Sequence, residues 1–318
     1  MSEIKKQDKR VTMYLGEDRD SNTKVGYDLN NMMVIGTSGA GKSTLMNNII
    51  TEVIQTYSHN NVGIVLIDPK GTELSIYYEH GRIPKHVEGY AGSDQEWIEE
   101  LLCKVSSIVV NRKYHNLDGK PYIVFVDEFQ DYAFTEISLY KQVFPSAVFN
   151  LFGDIKQSIN PKGMNEDQVK QIVDNHWMTF GINENYRNAH QITEFINSEF
   201  AIDMMPIGID GSVKHYGITK LSSEIKLNDS DRIAFIIKDI ALYESIASKY
   251  LLNANEKVNV ISDDECEVRR GFLNVIPINL AKGLEFEKVY ALPYQMTQNE
   301  KYVAYTRALN ELYVIAIE

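Results

Sequence analysis

Residues 36–44 read GTSGAGKST, entered from the apolar run MMVI (32–35) and left through LMNNIITEVI (45–54). The nine residues fit G-x-x-x-x-G-K-[ST], and the flanks supply what that pattern needs, a strand running in and a helix running out. Gly36, Gly39 and Gly41 let backbone N–H groups point inward with no side chain in the way, and Thr37, Ser38 and Ala40 keep the loop small between them. The first turn of the outgoing helix adds its partial positive charge at the same point. Lys42 is expected to neutralise β and γ phosphates, and the hydroxyl of Ser43, beside Thr44, to hold Mg²⁺. The segment reads as a cradle for ATP, placed at the carboxyl end of a parallel strand.

A second segment supplies chemistry for the cradle. Residues 122–131 read YIVFVDEFQD: an apolar strand delivers Asp127 and Glu128 at its carboxyl end, where ligands bind in such sheets. Asp127 suits the hold on Mg²⁺, and Glu128 suits a general base that activates the attacking water. Around these two segments, strand patterns alternate with helical ones, the signature of a parallel sheet covered on both faces. Strands are expected over Met32–Ile35, Gly63–Ile67, Tyr122–Val126 and Val148–Phe152, with helices near Ser43–Thr56, 94–111 and Asn188–Ser198. A second set of strand and helix segments follows over Arg232–Ile237, 241–252, Val258–Ile261, Val275–Asn279, Val289–Pro293, Tyr302–Leu309 and Leu312–Ala316. The stretch Ile202–Gly217 reads as the join. The expected fold is α/β, a P-loop NTPase of two lobes with parallel sheets, residues 1–208 and 209–318.

Composition narrows the partners. The 318 residues are 44% hydrophobic and 24% charged, enough for two cores and too apolar for a disordered chain. No apolar run reaches the ~18 residues of a membrane span, and MSEIKKQDKR at the start is unlike a secretory signal. Two cysteines, Cys103 and Cys266, stand far apart without metal-ligand spacing, so a reduced, cytoplasmic protein is expected. Net charge is -12, the wrong sign for coating DNA by bulk electrostatics, though a local basic groove is compatible with it.

Four further strings occur in order: LFGDIKQSI (151–159), ENYRNAHQITEFIN (184–197), AKGLEFEKV (281–289) and YVAYTRALNELYVI (302–315). With DEFQD before them they resemble the UvrD-like superfamily 1 helicases over roughly residues 120–318. The resemblance implies two RecA-like lobes and a set of roles. Gln157 would contact the γ-phosphate and attacking water, Tyr186 would stack on adenine, and Arg187 would act as an arginine finger. Glu285 would reach the ribose, and Arg307 would be a second finger. A guanidinium at the γ-phosphate neutralises charge as the bond breaks.

The front half is similar to a different group. YLGEDRDSNTKVGYDLNNMMVIGTSGAGKST and VLIDPKGTELSIYYE (65–79) resemble the FtsK and conjugative-coupling motors. The chain therefore reads as an FtsK-like front joined at DEFQD to a UvrD-like back. It departs from the helicase pattern in several ways. The large accessory domains have no room, and no adenine-clamping glutamine is evident near the start. NPKGMNED (160–167) lacks the aromatic that usually stacks on a base, and Pro277 and Asn279 stand where Thr and His usually touch the strand. Base stacking supplies ~1–3 kcal/mol per base, so the nucleic-acid side of the machine reads as reduced. The expected activity is ATP hydrolysis coupled to lobe closure in a compact helicase or translocase, monomeric, on single-stranded DNA and with room for a protein partner. An FtsK-like hexamer on duplex DNA and a partner-regulating ATP switch are the alternatives.

Overall fold

The computed structural model describes residues 12–17, 24–28, 30–37, 39–68, 71, 73–78, 83–92, 120–145, 147–173, 176–251, 257–262 and 267–317. Ser38, both cysteines and the helix expected over 94–111 lie outside these. The chain forms two compact units. The first holds residues 1–36, 41–154 and 162–182, and the second holds 37–40, 155–161 and 183–318.

In the first unit an antiparallel hairpin, β1 (Thr12–Glu17) and β2 (Lys24–Asp28), precedes a six-stranded parallel sheet. Its strands are β3 (Met32–Gly36), β4 (Gly63–Ile67), β5 (Val87–Ala91), β6 (Tyr122–Val126), β7 (Val148–Gly153) and β8 (Met178–Ile182), in the order β5-β4-β6-β7-β3-β8. Strands β4 and β6 are continuous apolar runs because both faces are covered. GIVLI of β4 is buried at every position. Helix α1 (Lys42–Thr56) presents Met46, Ile49, Ile50 and Val53, one helical face at i, i+3, i+4 and i+7. That face packs on Met32, Val34, Ile64, Leu66, Phe125 and Phe152. Two edge strands, β5 and β8, carry broken apolar patterns (VEGYA, MTFGI) and escape a reading based on runs. Helices α2 (Phe134–Val143) and α3 (Glu166–Ile172) were not expected either. For α3 the signal is present in Asn165 and Gln168, which cap each other's backbone N–H groups.

The second unit begins with short parallel strands β9 (Glu184–Asn185) and β10 (Met205–Pro206) around helix α4 (His190–Phe200). It continues through β11 (Ser212–Gly217), α5 (Leu221–Glu224), β12 (Ile233–Ile237), α6 (Ile240–Ser245), β13 (Val258–Val260), β14 (Leu273–Pro277), α7 (Ile278–Ala281), β15 (Phe286–Ala291), α8 (Gln298–Thr306) and β16 (Ala308–Ala316). Six of these strands form a parallel sheet in the order β11-β16-β15-β12-β14-β13. Strand β12 shows how the sheet is covered. Ala234 and Ile236 join one core with α4 and α8, while Ile233, Phe235 and Ile237 join another with Leu242, Tyr290 and Tyr313.

By its internal packing the chain divides at 182/183, with two short segments of the front counted in the second unit, where the sequence led to an expected boundary near 208. The reason is packing: Ile192 and Ile196 of α4 are buried in the core beneath β12 and β15, so the NYR helix belongs to the second sheet. Element limits shift as well. The expected segment 275–279 is a strand that stops at Pro277, and the expected segment 241–252 is α6 followed by a 3-10 turn over Ala247–Tyr250.

Candidate nucleotide site

The cradle has the backbone its sequence demands. Gly39 and Gly41 lie at φ 80° and 91°, in the left-handed region that only glycine adopts without strain. Gly41 is the N-cap of α1 and accepts from Leu45 N–H at 2.9 Å. Among the described residues no side chain caps this helix start, and no acid occupies its first turn. The N–H groups and dipole of such a helix start favour negative charge. The Lys42 ammonium donates to the Gly36 carbonyl at 2.8 Å, which lays it over the loop. Ala40 is buried beneath the loop, Ser43 is half-buried and Thr44 exposed.

Strand order brings the acids to the cradle. Strand β7 lies between β3 and β6, so the segments leaving the three strands emerge side by side. Asp127 is 4% exposed and its N–H is fixed to the Ile67 carbonyl at 2.9 Å. Glu128 adopts φ 48° and ψ 43°, a left-handed conformation that costs a non-glycine residue on the order of 1 kcal/mol. Such strain persists where surroundings over-determine it. Here the fully buried Gln130 donates its amide to the Glu128 carboxylate, and its carbonyl accepts from Asp154 N–H at 3.0 Å. A Cβ on Gly153 would collide with the Gln130 carbonyl and the Phe129 ring, so this tie requires glycine at the end of β7.

Two more groups support the acidic end of the sheet. Asp68, fully buried after β4, accepts from Gly71, Glu73 and Leu74 N–H groups at 2.9–3.0 Å. Burial holds the Tyr132 phenol well above its ordinary range, and Tyr140, Asp68, Glu136 and Asp127 push it the same way. Tyr132 therefore stays a neutral phenol. Mg²⁺ fits this set of groups. It is a hard cation usually held by one or two protein oxygens, with phosphate and water completing the shell, and Asp127 with Ser43 would supply that number. Among the described residues no group of three or more His, Cys, Asp or Glu could hold a metal.

In the second unit the NYR turn is braced by two fully buried asparagines that sequence reading did not single out. The Asn185 carbonyl accepts from Arg187 N–H (3.0 Å) and Asn188 N–H (3.1 Å), an Asx turn. Asn188 donates to the carbonyls of Thr306 (3.1 Å) and Ala308 (2.6 Å), tying the turn to the YTRA string. Arg187 projects from this brace and pairs with Glu285, and a Cβ on Gly39 would strike its side chain. Arg187 and Glu285 thus engage each other, where sequence reading gave them separate contacts to nucleotide. Tyr186 is 54% exposed, with its hydroxyl donating to Glu184, so it is no core aromatic. Gln157 is buried, and its backbone carbonyl accepts from Lys282 of KGLEF at 3.1 Å.

Arg307 is 1% exposed, and its guanidinium donates to the carbonyls of Val303 (3.1 Å) and Leu284 (3.3 Å) and to the Thr306 hydroxyl (3.1 Å). It stitches KGLEF to YTRA inside its own unit. No helix among the described residues is long and apolar enough to cross a membrane.

A profile of the FtsK/SpoIIIE family matches residues 2–117. The DNA translocase FtsK of Leptospira interrogans (serogroup Icterohaemorrhagiae, serovar copenhageni) is 33% identical over 147 residues, covering 39% of this chain and 15% of the relative. That of Shewanella oneidensis is 41% identical over 98 residues, covering 30% of this chain and 9% of the relative. The chain thus spans 15% or less of the length of these relatives. Among solved structures, a PRRSV helicase shares 15% identity at a TM-score of 0.47, over 91% of this chain and 52% of the other. Across residues 2–117, the part that carries the cradle and the IDPK turn, this chain is similar to the FtsK/SpoIIIE family.

Proposed function

We propose that the chain hydrolyses ATP with Mg²⁺ and works as a compact nucleic-acid motor of helicase or translocase type. One observation carries the reading: β3, β7 and β6 stand side by side and release the phosphate cradle, GDIKQSI and DEFQD at the same end of one sheet. In this reading Lys42 neutralises the β and γ phosphates while Ser43 and Asp127 hold Mg²⁺. Glu128 takes the proton of the attacking water, and Gln157 orients that water. Arg187 meets charge that develops on the γ-phosphate, with Glu285 orienting the guanidinium beside the ribose. Tyr186 offers its exposed ring to adenine. Arg307 is given a bracing role.

The test is ATP turnover measured alone and with single-stranded DNA, duplex DNA or RNA. Turnover stimulated by single strands supports the helicase-type reading; absence of turnover under every condition, with folded protein, overturns it. A ring motor on duplex DNA is the second reading, favoured by the similarity of residues 2–117 to the FtsK/SpoIIIE family. It predicts stimulation by duplex and a hexameric mass in solution with ATP, whereas the first predicts a monomer.

A further inference from the structure

Gln130 lies between Glu128 and the end of β7 and uses both ends of its amide. It is fully buried, as are Phe129 before it and Val126 on the strand leading in. Its Nε2 donates to the Glu128 carboxylate, and its Oε1 accepts from Asp154 N–H at 3.0 Å. Gly153 is the only residue type that leaves room for this arrangement, because a Cβ there would overlap the Gln130 carbonyl. Glu128 itself is held in a left-handed conformation, so its carboxylate direction is not the one a free strand end would choose.

An amide that donates to a carboxylate fixes it without taking its proton-accepting capacity, since each carboxylate oxygen keeps a further lone pair. The same amide is locked in turn by the Asp154 N–H, which dictates which end is carbonyl and which is NH₂. Asp154 stands three residues before Gln157, so the strand end that leads to the proposed water-orienting amide also ties down the Gln130 amide beside Glu128.

We propose that Gln130 is a positioning residue that aims the Glu128 carboxylate at the attacking water and sets that aim by the backbone at the end of β7. The inference rests on Glu128 being the general base. Groups held slightly out of line lose rate steeply, because the proton acceptor must lie within hydrogen-bond reach of the water.

Two variants separate the two bonds. Gln130→Glu keeps the acceptor for Asp154 N–H but removes the donor to Glu128 and sets a like charge beside it. Gln130→Met keeps length and burial and removes both bonds. Both should lower kcat for ATP by at least about tenfold, while the Kd for a non-hydrolysable ATP analogue stays within about twofold of the parent, because neither touches the cradle. Gln130→Glu with parental kcat would reduce the residue to a brace for β7 and overturn the inference. So would equal losses in kcat and analogue affinity, or loss of the fold in both variants by circular dichroism. Glu128→Gln is assayed in parallel. If Glu128→Gln still turns over ATP, the general-base reading has failed. If Glu128→Gln is inactive and the Gln130 variants turn over normally, only the positioning role has failed.

Discussion

Lys42, Glu128 and Arg307 are three polar side chains whose surroundings ask different things of them. Lys42 donates from its ammonium to a loop carbonyl, and its stem stands at the start of α1. Lys42→Ala is expected to abolish ATP turnover, a loss of 10³ or more of the sort attributed to removed phosphate clamps. Its melting temperature should stay within a few degrees of the parent; near-parental turnover would sink the nucleotide reading. Glu128→Gln keeps shape and Mg²⁺ geometry but removes the base, so bound, uncleaved ATP should accumulate and co-elute with protein in gel filtration. Arg307 is the opposite kind of residue. Arg307→Ala strips donors from the buried Val303 carbonyl, the half-buried Leu284 carbonyl and the Thr306 hydroxyl, and is expected to cost about 2–4 kcal/mol of stability in urea unfolding. If Arg307→Ala instead leaves unfolding unchanged and slows hydrolysis by about 10³, the finger role is restored and the bracing role is wrong.

Elements are joined here by capping groups and by single side chains that reach across strands. At α8, Thr297 and Glu300 form a reciprocal capping box, and Glu300 also takes two bonds from the Lys238 ammonium at 2.7 and 2.8 Å. Burial by itself would raise the Glu300 carboxyl, but the bonds from Lys238 and the Thr297 N–H outweigh it and leave the group below its ordinary 4.5. A carboxyl lowered on folding contributes stability at pH above its unfolded value and loses that contribution as pH falls through the folded one. Acid destabilisation below about pH 4.5 should therefore be shallower in Glu300→Gln than in the parent, read as the unfolding midpoint at stepped pH. Parallel curves for the two proteins would show that the pair contributes nothing. At the NYR turn, Asn188→Ala removes both bonds to the YTRA strand and should cost about 1–3 kcal/mol. It should also impair hydrolysis, because the turn that carries Arg187 is anchored there.

At the scale of the whole molecule, ring and monomer differ in who owns the finger. In the monomeric reading each chain completes its own site, so mixing Lys42→Ala with Arg187→Ala should restore no ATP turnover. Recovered activity in the mixture would mean that a good finger from one chain serves the good cradle of another, and would favour the ring. The sequence by itself determined the cradle, the DEFQD acids and the interior strands β4, β6 and β7, since each depends on neighbours in the chain. A loop of nine residues with two left-handed glycines specifies its own backbone, and a strand buried on both faces shows itself as a mostly apolar run. The edge strands β5 and β8, the division of the chain at 182/183 and the burial of Arg307 were decided by tertiary structure. So was the bridge from Gln130 to β7, which spans 24 residues, and the clamp from Asn188 to Thr306, which spans 118. An isolated segment cannot reveal which backbone group will come to lie beside a buried amide, because that partner is delivered only when the sheets have formed.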